Sequence, residues 1–285
     1  MDFTQIASAW QRSSLNDNHS DLSKRTLYNH CQAVAKQFGV EIACRRGRGL
    51  NRYYIANPET IDDNTLNKWA LDSFALSSLL LENADISDKI LIEDIPSSKS
   101  YLQTVLKSLK DNVCLIVSYC NFVGKHFDNI IVEPLCVKLF KRRWYLLGQI
   151  PSIGQKKIFC LDRITNLELT NKSFCYPKDF SASDFFESYF GIIAITDGKR
   201  ERIKLRAYDE LPGYLRSLPI HHSQREVNRE GRFSDFEVEL IPTFDFIQEI
   251  LSHRDQLEIV APTWLRREIS DLINRMSNRY NDCQS

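Results

Sequence analysis

The side chains best suited to chemistry in this sequence are basic and amide groups near the N-terminus, and their types fit the binding of a polyanion. They recur at helical spacing from residue 24 to 36 and again around a tight turn at 45–52. Arginine, asparagine and glutamine can read base edges through paired hydrogen bonds, and arginine and lysine neutralise phosphates. The candidate DNA-binding residues are Lys24, Arg25, Thr26, Asn29, Gln32, Lys36, Arg45, Arg46, Arg48 and Arg52.

A helix followed by a two-stranded hairpin is predicted to position these side chains. Thr4–Arg12 is a short helical stretch, and Ser23 is a plausible N-cap for a second helix that Gly39 ends. The apolar stripe of that helix places the basic and amide residues on its opposite side. An isolated amphipathic helix of this kind is more often only a solvated surface, but the adjoining arginine-rich hairpin favours DNA. The stripe is Leu27, Cys31, Val34 and Phe38, and the strands are Val40–Cys44 and Asn51–Ile55.

A second basic region lies between residues 138 and 163, with seven lysines and arginines against one aspartate. Aromatic side chains accompany these cations, and aromatic faces stack bases while arginine clamps phosphate. Alternation along the strand at 143–147 places Trp144 and Leu146 in the core, and it leaves Tyr145 open between packing and ligand contact. The pairing of Arg163 with Asp162 is the alternative to its binding a ligand. The candidate ligand-binding residues here are Tyr119, Arg143, Tyr145, Phe159 and Arg163.

His221, His222 and Gln224 form a polar segment in the last third of the chain. Adjacent histidines do not easily face one metal ion, and no carboxylate lies at ligand spacing. A Ser-His hydrolase would need an orienting acid and a nucleophile turn, which are absent. We therefore expect these three residues to touch a ligand or to relay its presence.

The charge distribution limits where nucleic acid can bind. The 285 residues carry 37 basic and 37 acidic side chains, so the chain is not a uniformly basic coat. Residues 1–58 have a net charge of +4, whereas residues 59–114 have a net charge of −5. The change predicts a domain boundary near Pro58, with a head that alone meets the duplex.

Several function classes find no support in the sequence. The eight cysteines form no Cys-x-x-Cys pair, which favours buried thiols in a reducing cytosol over a metal site. No P-loop, paired-acid metal site or catalytic triad indicates an enzyme. No apolar run is long enough to cross a membrane, and no secretory signal is evident, so we expect a cytoplasmic protein without a cofactor.

The remaining pattern predicts an α+β multidomain fold. Helices at 66–81 and from 96 to 109 form a connector whose default role is packing, including packing between two protomers. Five short strands then predict a closed barrel of the SH3 or Sm kind. The order β-α-β-β-α-β and a closing helix predict a ferredoxin-like domain, with Thr243 and Thr263 as N-caps. The predicted barrel strands are Val113–Tyr119, Ile130–Phe140, Arg142–Ile150, Lys157–Leu161 and Ile164–Leu169.

Three linked motifs resemble the signature of WYL-domain proteins: Glu133–Leu135, Arg143–Leu146 and Phe159–Ile164. The similarity extends over nearly the whole chain and is greatest to WYL regulators of the Bacteroidetes type, which share strings such as Leu218–Gln224. It implies a dimeric bacterial transcription regulator whose Sm-like WYL barrel senses a ligand, with a nucleotide or single-stranded nucleic acid as the leading class. Such proteins usually have a helix ahead of the segment that matches Thr4–Arg12. We therefore expect the head to lack its first helix, through a misplaced start codon or a truncation, which puts its intrinsic DNA affinity in doubt.

The resulting domain prediction has five parts. They are a winged helix-turn-helix head (1–58), a helical connector for dimerisation (59–112), the WYL barrel (113–172), a linker (173–200) and a ferredoxin-like C-terminal extension domain (201–285). The first hypothesis is a ligand-responsive regulator that binds duplex DNA as a homodimer. The alternative is a nucleic-acid-binding accessory protein of a phage-defence or DNA-repair system without promoter specificity. The third, a nuclease or nucleotide hydrolase, has no motif to support it.

Overall fold

The computed structural model of the chain describes residues 1–13, 16, 20–47, 51–62, 65–82, 89, 91, 99–195 and 198–281. Helices and antiparallel sheets follow one another along these residues, which confirms the mixed α+β class. The chain divides into two compact units, residues 1–93 and residues 94–285. Each unit is built on its own hydrophobic clusters.

Two capped helices open the smaller unit. Helix α1 spans Phe3–Gln11, and the Asp2 carboxylate caps it by accepting a hydrogen bond from the Gln5 amide at 2.8 Å. Helix α2 spans Lys24–Phe38, with Ser23 Oγ accepting from the Thr26 amide at 3.0 Å. Gly39 ends α2 at φ 66°, a left-handed conformation that costs glycine little. The predicted cap and stop of α2 are therefore confirmed.

A short hairpin and two further helices complete this unit. Strand β1 (Ile42–Arg45) pairs antiparallel with β2 (Arg52–Ile55), and α3 (Glu59–Asp62) precedes α4 (Thr65–Glu82). The hydrophobic cluster found among the described residues of this unit is small, because only one side of α1 and of α2 faces inward. Its buried members are Leu22, Leu27 and Cys31, with Phe3, Ile6, Ala7, Trp10 and Tyr53 packed against them.

The first half of the larger unit is a five-stranded antiparallel sheet with a helix packed on it. Helix α5 spans Lys99–Asp111, and its Val105 side chain is fully buried among the strand residues. A Tyr101 hydroxyl that donates to the Thr165 carbonyl at 3.2 Å also ties the helix to the sheet. The strands are β3 (Val113–Cys120), β4 (His126–Phe140), β5 (Arg143–Ile150), β6 (Gln155–Cys160) and β7 (Ile164–Ser173).

The strand pairing does not show the predicted closed barrel. The order is β6-β5-β4-β3-β7, and within the described residues no ladder joins the edge strands β6 and β7. A 3-10 turn of only three residues, Leu161–Arg163, connects those edges, so the sheet must curve strongly. Side chains bridge the opening, because Phe159 on β6 packs edge-on against Tyr119 on β3 with ring centroids 5.4 Å apart.

The second half of the larger unit has the predicted ferredoxin-like order. After the linker helix α6 (Ala182–Glu187), two β-α-β halves form a four-stranded antiparallel sheet in the order β11-β8-β10-β9. Thr243 occupies the N-cap of α8, but its buried hydroxyl has no hydrogen-bond partner, and Thr263 lies inside α9 rather than at its cap. The elements are β8 (Glu201–Tyr208), α7 (Leu211–Ser217), β9 (Arg225–Glu230), β10 (Phe233–Leu240), α8 (Phe244–Ser252), β11 (Leu257–Ala261) and α9 (Thr263–Asn281).

A search of the described helices for a membrane-spanning segment finds none with the required length and apolar character.

Candidate nucleic-acid interface and effector sites

The outer face of α2 carries the predicted base-reading side chains. Arg25, Asn29, Gln32 and Lys36 are all exposed, whereas Leu27 on the opposite side is buried. Lys24 is also exposed and lies over the Phe3 ring at 5.8 Å, while Thr26 is half-buried with its hydroxyl 2.8 Å from Ser23 Oγ. Five of the six candidates on this helix thus reach solvent, and Thr26 supports the helix cap instead.

The hairpin concentrates positive charge without compensation. Arg45 stands directly opposite Arg52 in the register of β1 and β2, and Arg46 follows at the end of β1. All three side chains are exposed, and none takes part in an ion pair found among the described residues. Like charges facing one another across a ladder are destabilising, so this arrangement favours an external anion. Arg48 lies outside the described residues.

Arg163 is held within the protein rather than presented to a ligand. Its guanidinium donates to the Cys120 carbonyl at 2.7 Å, at the end of β3. The same group lies 3.5 Å from the Phe122 ring centroid and 5.0 Å from that of Tyr119. Phe159 is only 4% exposed, which makes its ring a core residue and not an accessible stacking face. Tyr119, Phe159 and Arg163, three of the five candidate ligand-binding residues of this region, do come together, but their contacts close the gap between the sheet edges.

Arg143 and Tyr145 lie on β5, beside the 3-10 turn Leu161–Arg163. Arg143 Nε lies 3.6 Å from the Asp162 carboxylate, so Arg143 and not Arg163 is the partner of that acid. Tyr145 is half-buried opposite Cys160, and burial raises the pKa of its hydroxyl to about 12. Its phenol therefore stays protonated and can donate a hydrogen bond at neutral pH.

His221, His222 and Gln224 belong to a loop that is tied together internally. His221 is buried, with Nε2 3.0 Å from the Glu187 carbonyl and Nδ1 2.7 Å from Ser223 Oγ. Burial, assisted by neighbouring cations, lowers the pKa of His221 to about 4, so the ring is neutral. The Gln224 amide donates to the Leu215 carbonyl at 2.6 Å and accepts from the Ile220 amide at 2.9 Å. Of the three, only His222 is exposed.

A contact between Lys138 and the linker was not predicted from the sequence. The Lys138 ammonium donates to the Gly191 carbonyl at 2.7 Å and lies 4.2 Å from the Phe186 ring centroid. Burial lowers its pKa to about 8, and Asp245 opposes that change. Asp245 in turn accepts hydrogen bonds from the Ile192 and Ile193 amides at 2.8 and 2.9 Å. The partners in these contacts lie about fifty positions apart in sequence, so no local pattern could have paired them.

The seven cations between residues 138 and 163 therefore do not form a single patch. Lys138 is bound to the linker, Lys141 pairs with Glu249 at 2.9 Å, and the two arginines discussed above have partners of their own. Lys156 and Lys157, on the edge strand β6, are exposed and take part in no ion pair found among the described residues.

Lys156 and Lys157 line a cavity of about 660 Å³ between the β5–β6 hairpin and the linker. Its lining includes the side-chain amides of Gln149 and Gln155 and the aromatic side chains of Phe185 and Tyr189, but no carboxylate. Positive charge, amides and rings together suit an anionic ligand with a planar base.

Comparison with known proteins identifies both halves of the larger unit. The WYL domain family model matches residues 100–169, and the WCX domain family model matches residues 199–277. The chain therefore contains a WYL domain followed by a WCX domain, which confirms the resemblance drawn from the three motifs at the level of these domains. No curated protein matches the chain.

Solved structures similar to this chain include two larger proteins. One is proteasome accessory factor B/C (PafBC) of Arthrobacter aurescens, with 17% identity and a TM-score of 0.35 over 93% of this chain and 44% of that chain. Another is a CRISPR Cas-related protein, with 12% identity and a TM-score of 0.39 over 64% of this chain and 51% of that chain. The present chain thus spans about half the length of either one.

The described residues contain no group of three or more histidine, cysteine, aspartate or glutamate side chains able to hold a metal ion.

Proposed function

We propose that this protein is a ligand-responsive transcriptional regulator whose head binds duplex DNA. The observation that carries the proposal is the pairing of Arg45 with Arg52 across the hairpin, beside the exposed cationic face of α2. The chain order of two helices and a hairpin supports a winged helix-turn-helix, in which α2 enters the major groove. The hairpin arginines then hold phosphates or enter the minor groove.

The two halves of this interface have different tasks in the proposal. Arg25, Asn29 and Gln32 are of the types that read guanine and adenine edges, so they would supply sequence preference. Arg46 and Arg52 would supply affinity through phosphates, in a manner that depends on salt. The protein acts as a homodimer, as the resemblance implies, so that two heads meet two half-sites.

The effector in this proposal is a nucleotide or a short single strand bound at the WYL domain. Support comes from the carboxylate-free cavity that Lys156 and Lys157 line. The WYL domain is the predicted sensor, and its occupation would bias the spacing of the two heads in the dimer. Expression of the regulated gene with and without the effector shows whether the effector raises or lowers DNA affinity.

The DNA half of the proposal is tested by fluorescence anisotropy with the duplex upstream of the protein's own gene. Arg46→Ala should weaken binding to all duplexes and reduce the salt slope by about 1, whereas Asn29→Ala should cost about 1–3 kcal/mol on the preferred duplex alone. Arg229→Ala, an exposed arginine of the WCX domain, serves as the matched control. Binding that is absent at every sequence and salt concentration contradicts the proposal. Equal affinity for scrambled duplexes with stronger single-strand binding instead supports the accessory-protein alternative.

The effector half is tested by titrating the protein with AMP and with a short oligo-dT strand. Lys156→Glu with Lys157→Glu should weaken this binding by more than about tenfold, because two phosphate contacts are reversed in sign. Lys107→Glu with Lys110→Glu makes the same charge change on the exposed side of α5 and should leave binding unaltered. Equal losses in both double variants would show a general charge effect and remove this cavity from the proposal.

A further inference from the structure

A second cavity, of about 630 Å³, lies on the helical side of the WCX domain. Its lining includes Leu211 and Leu215 of α7, both buried, and Phe190 of the linker. One wall is supplied by Lys141, which projects from the β4–β5 turn of the WYL domain. The cavity is therefore bounded by both domains, and its volume falls in the range of roughly 300–1,000 Å³ that small-molecule sites occupy.

The polar groups of this cavity balance one another in charge. Lys141 pairs with Glu249 at 2.9 Å, while Glu210 and Arg254 take part in no ion pair found among the described residues. His253 Nε2 is buried without a hydrogen-bond partner and lies 3.7 Å from the Glu249 carboxylate. A buried ring nitrogen without a partner is costly, so a ligand that supplies one is favoured.

We propose that this cavity binds a small zwitterion with an apolar body, of the kind a hydrophobic dipeptide represents. Its apolar part would cover Leu211 and Leu215. Its ammonium would pair with Glu210 and its carboxylate with Arg254, the two charged residues for which no ion pair is found among the described residues. A nucleotide is disfavoured here because its phosphates would meet Glu210 and Glu249. The cavity beside Lys156 and Lys157 has the opposite character, since no carboxylate lines it.

Occupation of this site bears on the contact between the two domains. Lys141 and Glu249 join the WYL hairpin turn to helix α8 through an ion pair that is half-exposed on the lysine side. Lys141 and Glu249 both line the cavity, so a ligand held there lies against both partners of this ion pair, and its binding alters that contact. The site is thus a second input to the larger unit, chemically distinct from a nucleic-acid effector.

The test is calorimetric titration of the full chain with leucyl-phenylalanine, with the N-acetylated and C-amidated peptide, and with AMP. The free dipeptide should bind saturably, and the blocked peptide about tenfold more weakly because it keeps the apolar body but loses both charges. Glu210→Gln and Tyr214→Ala should each weaken binding of the free dipeptide about fivefold or more. Both residues are exposed, Tyr214 by 67%, so the fold should tolerate the changes.

Matched controls lie on helix α9, away from the cavity. Glu268→Gln and Tyr280→Ala remove the same groups from exposed positions and should leave binding unaltered. The proposal is overturned if the free dipeptide does not bind, or if blocked and free peptides bind equally. It is also overturned if Glu210→Gln and Tyr214→Ala match their controls, since the binding then lies elsewhere. If AMP binds and Lys156→Glu removes that binding, the AMP lies in the other cavity. Such a result neither supports nor weakens the conclusion from the dipeptide titration.

Discussion

At the scale of single residues, His221 is a buried ring that folding keeps neutral. The pKa of His221 is lowered from 6.5 to about 4, first by burial and then by the neighbouring His222 and other cations. Between those values the unfolded chain binds a proton that the folded chain does not. The contribution of His221 to stability is therefore complete above pH 6.5 and is lost as the pH falls toward 4.

We predict that the unfolding free energy decreases by about 1.4 kcal/mol per pH unit between pH 6 and 5 because of this one residue. Urea denaturation of the wild type, of His221→Asn and of the exposed His126→Asn measures it. His221→Asn should flatten the pH dependence in that interval and lower stability at pH 7, whereas His126→Asn should retain the slope. A slope that persists in His221→Asn would contradict the assignment.

Asp235 is a buried carboxylate whose charge is matched by two cations. It is 1% exposed, Arg206 donates to both of its oxygens at 2.7 and 3.1 Å, and Lys204 lies 2.9 Å away. The hydrogen bonds from Arg206 outweigh burial and lower the pKa of Asp235 to about 2. The Asp235 carboxylate is thus ionised in the folded protein at neutral pH.

Asp235→Asn should destabilise the protein by about 2–3 kcal/mol at pH 7, because it leaves two partly covered cations without their anion. Glu237→Gln, two residues further along β10, removes a charge without a paired cation among the described residues and should cost less than about 0.5 kcal/mol. Denaturant unfolding at pH 7 gives the comparison. The difference between wild type and Asp235→Asn should shrink as the pH falls from 3.8 toward 2, since the unfolded wild-type chain then binds a proton at Asp235 that the folded chain does not.

At the scale of elements, the 3-10 turn at Leu161–Arg163 shows why two similar arginines have different roles. Arg163 fastens the turn to the end of β3 through the Cys120 carbonyl, between two aromatic rings. Arg143 makes an ion pair with Asp162 while remaining 41% exposed, so water screens most of its value.

Arg163→Ala should therefore destabilise the protein by about 2 kcal/mol, whereas Arg143→Ala should cost about 0.5 kcal/mol. Thermal unfolding followed by circular dichroism separates the two. Loss of oligo-dT binding in Arg163→Ala at a temperature at which it remains folded would contradict this reading. In that case Arg163 would contact the ligand directly.

Local rules predict the elements of this chain, but they do not predict its tertiary contacts. Ser23 and Gly39 delimit α2 because capping depends on neighbouring residues only. The β-α-β-β-α-β order follows from the spacing of apolar residues in the same way. The contact between Lys138 and Gly191 depends instead on how two domains meet. The burial of Phe159 was not predicted for a related reason, because the presence of an aromatic residue on a strand does not show whether its side chain is buried or exposed.

At the scale of the whole molecule, the two units differ greatly in the size of their cores. Among the described residues, fourteen buried side chains form the WCX cluster and ten the WYL cluster, against three in the cluster of residues 1–93. Because stability grows with the apolar area buried, the head should unfold at a lower temperature than the unit of residues 94–285.

Scanning calorimetry of the full chain should accordingly show two transitions, and a fragment of residues 94–285 only the upper one. A ligand stabilises the unit that binds it, by about 2.7 kcal/mol at a hundredfold excess over its dissociation constant. Duplex DNA should therefore raise the lower transition alone, and AMP the upper one alone. A single transition that both ligands raise equally would mean that the units unfold together. If duplex DNA raised only the upper transition, the arginines of the hairpin would not be the site that meets it.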